Sequence, residues 1–265
     1  MKALTRVPVF SYDTFTSTLL IPTKSLEIKF RKNYLNAHTL NELESILTWL
    51  AAHTEVQGLS ITSFGEEFIQ GFDVTELRLL SEDELKNLFQ KLSTIAQSLM
   101  CLPQTVVVDM KKGTRGVGLE LALAADIRIA KSDAIYCLNH LSLGLTPTCG
   151  LFSFLRSYLN QNVLRSLLLS GREFQKESLH ALGGHCEYDL EASTIMANIF
   201  NQAPIARIQA KRGLLDIHRP KNVEELELEK NLFNAVVNSK DYTKESGFMS
   251  VAEFKGINLN HETKN

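Results

Sequence analysis

The chain has 265 residues, with 28 basic against 30 acidic side chains and 44% hydrophobic residues. That length and apolar share suffice for one sizeable core plus an appendage, and the near-neutral charge, with no basic run or stripe, excludes a nucleic-acid partner. No apolar stretch reaches the ~18 residues of a membrane span, and no signal peptide is evident, so a membrane partner is not expected either. Four scattered cysteines without CxxC spacing predict no metal site and a reduced, cytoplasmic setting.

Between Phe10 and Phe30, two alternating apolar and polar stretches flank Pro22-Thr23-Lys24, which predicts a hairpin. Thr39-Leu40-Asn41-Glu42 reads as a capping box ahead of Leu43, Ile46, Leu47 and Leu50 at helical spacing. Gln57–Thr62 reads as a buried strand. A second capping box, Ser81-Glu82-Asp83-Glu84, opens a long helix with Leu85, Leu88, Phe89, Leu92, Ile95, Ala96 and Leu99 on one face. Pro103 stops it, and Val106–Val108 follows as a second buried strand. A glycine loop, a short helix, a strand at Asp126–Ala130 and an apolar piece at Ala134–Leu138 come next. This alternation predicts the α/β class with a largely parallel sheet.

Beyond Cys149 the spacing is helical, at Leu151–Leu159, Val163–Leu169, Lys176–Leu182, Ala192–Asn201, Ile205–Asp216 and Val223–Asn238. Asn258–Asn265 is polar and expected to be loose. The expected organisation is an α/β core over 1–200 and a helical extension over 201–265, packed on the core or on a neighbouring subunit.

Two loops, each between a strand and a helix, carry the candidate chemistry. In Thr62–Val74, Gly71 supports a tight turn and Asp73 with Glu76 fits a helix cap, leaving the N–H groups near Phe72 pointing outward. In Lys111–Glu120, Gly116 and Gly118 precede a small-residue helix with Glu120 in its first turn. Taken alone, the first loop reads better as a plain capped helix and the second as a turn before a helix. Loops after neighbouring parallel strands, however, meet at the strands' carboxyl ends, where ligands bind in open α/β sheets. Paired N–H groups there can hold a developing oxyanion while a carboxylate moves a proton beside it.

The stretches Phe68–Val74, Arg115–Ala130 and Leu143-Gly144-Leu145-Thr146-Pro147 resemble the enoyl-CoA hydratase/isomerase (crotonase) family. Asn36-Ala37, Ser170-Gly171-Arg172 and Ala181-Leu182-Gly183 fall in the family's order, and the resemblance spans roughly residues 10–255. It implies the crotonase-like spiral of repeated ββα units with a helical C-terminal extension. An acyl-CoA thioester would be the substrate, with no further cofactor, in a homotrimer or hexamer serving fatty acid metabolism. It also implies that the backbone N–H groups of Phe72 and Val117 form an oxyanion hole. Glu120 falls on the place of the main acid/base, and His140 on that of a second glutamate. Gln70, Gly71, Asp73, Gly116 and Gly118 are implied to surround the substrate. On its own chemistry His140 suits proton transfer near neutrality or simple packing, and Asp126 is expected to anchor the fold.

The departures are specific. Phe72 stands for an alanine, Val117 for a glycine although valine avoids φ > 0, and Lys111-Lys112 for Asn-Gly, unless that glycine has slid to Gly113. Lys255 alone remains of a C-terminal basic cluster. These changes keep a second reading open: a catalytically degenerate relative that serves as an acyl-CoA or protein-binding module.

Overall fold

The N-terminal hairpin pattern grows into a three-stranded meander, because Arg6–Ser11 continues the alternation outward. The computed structural model describes residues 6–218 and 223–239. In chain order it contains β1 (Arg6–Ser11), β2 (Phe15–Leu20), β3 (Ser25–Phe30), α1 (Ala37–Ala52) and β4 (Gly58–Ser63). Next come α2 (Val74–Leu77), α3 (Glu82–Cys101), β5 (Thr105–Asp109), β6 (Gly113–Arg115) and α4 (Val117–Leu123). These lead to β7 (Ile127–Ala130), β8 (Ile135–Cys137), α5 (Gln161–Ser170), β9 (Glu173–Phe174) and α6 (Lys176–Leu182). The last are β10 (Glu187–Tyr188), α7 (Ala192–Phe200), α8 (Pro204–His218) and α9 (Val223–Ser239).

Seven strands form one sheet in the order β1-β2-β3-β4-β5-β7-β10, and β6-β8-β9 form a second. From β3 to β10 every pairing in the large sheet is parallel. After β5 the chain alternates between the sheets: β6 and β8 in the small one, β7 and β10 in the large one. That alternation is the repeated strand–strand–helix turn of a crotonase-like spiral. β4 and most of β5 are buried along their length, as a sheet covered by helices on both faces requires.

The helical expectations hold at α3, α5, α6, α7, α8 and α9, with two corrections upstream and between. Helix α1 is capped by Asn36, whose side chain accepts the Thr39 N–H at 2.8 Å. The Thr39–Glu42 box therefore does not form: Thr39 lies buried in the first turn. Glu42 instead accepts the backbone N–H groups of Asp13 and Thr14, tying the β1–β2 turn to α1. The second correction is Leu151–Leu159, which forms successive turns. Ser153 and Leu155 N–H groups both reach back to the Gly150 carbonyl, so spacing alone mistook a folded-back turn for a helix. The Ser81 box at α3 forms in full.

The Asp126–Ala130 strand starts one residue later than its spacing predicts, because Asp126 is occupied as an anchor. Its carboxylate accepts the Val106 N–H at 2.7 Å and the Lys211 ammonium of α8 at 2.6 Å. Arg128 points elsewhere, to the carbonyls of Ala122, Ala125 and His185. Helix α9 packs on α3 through Phe233 and Val237. Of the cysteines, Cys137, Cys149 and Cys186 are buried and Cys101 is exposed; all four are unbridged. No helix among the described residues is long and apolar enough to cross a membrane. Asp241–Gly247, Lys255 and Asn258–Asn265 lie outside the described residues.

Candidate active site

The two loops do converge. The segment after β4 is pinned on one side to residues 33–35, through Gln70 N–H to Asn33 O (2.6 Å), Leu35 N–H to Gly71 O (2.9 Å) and Asp73 N–H to Leu35 O (3.0 Å). On the other side the Ile69 carbonyl accepts the Thr114 hydroxyl at 2.6 Å and the Arg115 N–H at 3.1 Å. These bonds fix Phe72 beside the start of α4. Neither the Phe72 nor the Val117 N–H donates a hydrogen bond among the described residues.

Backbone conformation explains how valine fits a place expected to need glycine. The unusual torsions fall one residue earlier, on Gly116 (φ 50°, ψ −125°), so Val117 begins α4 with helical geometry. A side chain at Gly116 would also press on Asn139 Oδ1 at 2.7 Å. Upstream, Lys111 itself takes φ 56°, and Gly113 takes φ 148° with its missing Cβ aimed at the Ile135 carbonyl. Only a residue without a Cβ lets β6 pair beside β8 at this point.

Glu120 is completely buried. Its Oε2 lies 2.9 Å from His140 Nε2, and its Oε1 accepts the Cys149 N–H at 3.1 Å. His140 precedes a short 3-10 turn at 141–143, and its carbonyl accepts the Leu143 and Leu145 N–H groups, both at 3.0 Å. The Leu143–Pro147 stretch is therefore the brace that aims the imidazole. His140 Nδ1 and Asn139 Oδ1 are both buried without a hydrogen-bond partner. Unpaired polar atoms of this kind are rare in a finished core and mark a place where a ligand or water completes the set.

A cavity of about 20 Å3 collects these groups: Gly71, Phe72, Gly116, Val117, Glu120, Asn139 and His140 line it, with Phe89, Leu143, Leu145 and Thr148. Three sequence-predicted substrate contacts do not reach it. The Gln70 side chain donates to Gly113 O at 3.4 Å, Asp73 caps α2, and Gly118 packs against Ile69. Glu76 does not complete a box with Asp73 but accepts the Ala37 N–H at 3.2 Å. Asn139, Thr148 and Phe89 were not legible as site residues, since Asn139 lies in no motif and Phe89 matches the buried face of α3. The Phe72 ring packs edge-on to Phe89 at 5.1 Å, and Phe89 meets Phe233 of α9 at 4.2 Å.

The family model for enoyl-CoA hydratase/isomerase matches residues 25–256. Short-chain-enoyl-CoA hydratase of Clostridium acetobutylicum is 24% identical over 189 residues, covering 69% of this chain and 72% of its own. The human mitochondrial enoyl-CoA hydratase domain-containing protein 2 is 29% identical over 187 residues, covering 66% of this chain and 64% of its own. Among solved structures, an enoyl-CoA hydratase from Mycobacterium avium subsp. paratuberculosis superposes with a TM-score of 0.78 at 16% identity, over 88% of this chain and 98% of that one.

Proposed function

This chain belongs to the enoyl-CoA hydratase/isomerase family, and from that premise we propose that it binds an acyl-CoA thioester and stabilises its enolate, with hydration or double-bond isomerisation as the outcome. One observation carries the reading. A buried carboxylate, Glu120, shares a cavity with two main-chain N–H groups, those of Phe72 and Val117, that have no partner among the described residues. Those two donors would bind the thioester oxygen as negative charge develops on it, each worth ~3–4 kcal/mol in the transition state. Being main-chain groups, they survive the changes to Phe and Val.

Glu120 would exchange the proton at the α-carbon, and His140 holds the carboxylate in place while serving as a second proton-handling group. In hydration, water adds its oxygen to the β-carbon and a proton reaches the α-carbon. In isomerisation, the proton removed from one carbon returns to another, for which one base suffices. Crotonyl-CoA hydration and 3-enoyl-CoA isomerisation, followed by absorbance, test the reading. Glu120→Gln should lower turnover by roughly a hundred- to ten-thousand-fold. Absence of turnover by the wild type, or unchanged turnover in the variant, overturns it.

The alternative, a degenerate binding module, is favoured by the cavity's size, since about 20 Å3 admits a single water molecule. Calorimetric titration with CoA and acetyl-CoA, read beside the turnover assays, separates the two readings: heat without turnover marks an acyl-CoA-binding module, and no heat marks a scaffold that has lost the site. A homotrimer or hexamer belongs to the same proposal, and light scattering at the monomer mass of 29.7 kDa would count against it.

A further inference from the structure

The cavity at Glu120 is too small for any acyl group, yet a groove of about 720 Å3 runs beside it between α3 and α9. Phe89 and Thr148 line both spaces, so they form the wall between them. Of the two, only Phe89 is bulky enough to open a passage by moving. Its ring is clamped by neighbours from two other elements, Phe72 on the cavity side at 5.1 Å and Phe233 of α9 at 4.2 Å. Among the described side chains of α9, Phe233 and Val237 are buried, while Glu227, Leu228, Lys230 and Leu232 are exposed. A helix whose described side chains are mostly exposed opens locally at lower cost than one buried along its length.

We propose that Phe89 is the gate of the acyl site and Phe233 its latch. The thioester reaches Glu120 only when the Phe89 ring leaves the wall, and the far end of the acyl chain then lies in the α3–α9 groove. This deepens, and rests on, the acyl-CoA reading above. The groove beyond the gate is lined by Lys86, Gln90, Ser93 and Gln97, so chains that are short or polar at their far end fit it better than long alkyl chains.

Two measurements test the gate. The first needs no ligand: amide hydrogen exchange at Phe72 and Val117, the two unbonded N–H groups facing the cavity. Phe233→Ala should speed their exchange on the order of tenfold, the loss expected for one aromatic pair, and leave the β5 amide of Val107 unchanged. Phe233→Leu, which keeps the seam filled, should give a smaller rise and guards against a variant that merely unfolds. Exchange unchanged in both variants overturns the gate.

The second is titration of the full chain with butanoyl-, hexanoyl- and octanoyl-CoA. Opening the gate is a fixed cost, so Phe89→Ala should bind all three thioesters more tightly than wild type by one common factor, on the order of tenfold, while free CoA binds both proteins equally. Equal affinity of the two proteins for every thioester overturns the role of Phe89. Faster exchange with no thioester bound by any variant overturns the acyl reading, and selection by chain length falls with it.

Discussion

Glu120 and His140 meet through a 2.9 Å contact between Oε2 and Nε2, with the carboxylate fully buried and the histidine only 6% exposed. Since Oε1 is already held by the Cys149 N–H, the imidazole is the one described partner of Oε2. Removing it leaves a buried oxygen without a donor. His140→Ala should therefore lower stability by about 1–3 kcal/mol, the cost of an unsatisfied buried group. The exposed pair of His185 with Glu187, 3.2 Å apart, is the control: His185→Ala should change stability by less than about 0.5 kcal/mol. Urea unfolding midpoints compare the two. Equal midpoints would mean that the imidazole does not satisfy Oε2.

How much of this site was readable depended on distance along the chain. Glu120 and the N–H groups of Phe72 and Val117 are set by local signals: glycines, a cap and strand-to-helix loops. The core face of α3 was equally legible, because helical periodicity is local. Phe89 shows what periodicity cannot supply. Its spacing marks it as buried, but its partners Phe72 and Phe233 lie far away in sequence, and only the packed fold makes the three a stack. The cap of α1 failed differently. Two side chains compete for the same first-turn N–H, and Asn36 wins because Glu42 is drawn off by the β1–β2 turn, a tertiary demand that no local window contains.

That diversion of Glu42 makes an acid-sensitive joint. Burial alone would raise its carboxyl pKa, but hydrogen bonds from Thr14 and Asp13 hold it below the ordinary glutamate value. A carboxyl depressed in the folded state contributes stability above its unfolded pKa and loses it as pH falls through the folded value. Glu42→Gln should thus be destabilising near neutrality, and the difference from wild type should shrink below about pH 4. Thermal melts of both proteins across that range check the sign. A gap that widens on acidification would contradict it.

Asp126 and Lys211 form a second joint with the opposite sign. Desolvation by burial raises the Asp126 pKa and lowers that of Lys211, in each case against the pull of the other. Folded Asp126 keeps a proton that the unfolded chain would release, so its contribution to stability falls as pH rises through the window above the ordinary aspartate value. Folded Lys211 sheds its proton early, so its contribution recovers as pH climbs toward the ordinary lysine value. The pair is therefore least favourable near neutrality. The apolar double variant Asp126→Leu/Lys211→Met should gain most on wild type there and less at either end. Lys211→Met alone, which takes the ammonium from Asp126 and leaves it the Val106 N–H, should cost about 1–3 kcal/mol. Chemical denaturation across pH reads both, and a wild-type advantage that peaks at neutrality would refute the assignment.

Gly118 and Gly213, neither of which has a positive φ, differ in surroundings and give the sharpest contrast. A Cβ on Gly118 would meet the Ile69 carbonyl at 2.2 Å and Thr114 Oγ1 at 2.5 Å. Those atoms join the two site loops, and both belong to well-bonded backbone or to a hydroxyl already donating to Ile69. Relief is possible only by parting α4 from the loop after β4, which moves the Val117 N–H away from that of Phe72. Gly118→Ala should therefore cost about 1–3 kcal/mol through overpacking and weaken acetyl-CoA binding as well. Gly213, on α8, has nothing within 4 Å of its missing Cβ. Gly213→Ala should stabilise by about 0.5–1 kcal/mol through helix propensity alone, with binding unchanged. Melting temperature and acetyl-CoA titration on both variants decide the matter: a Gly118→Ala protein that binds like wild type would show that the N–H spacing does not depend on this close approach.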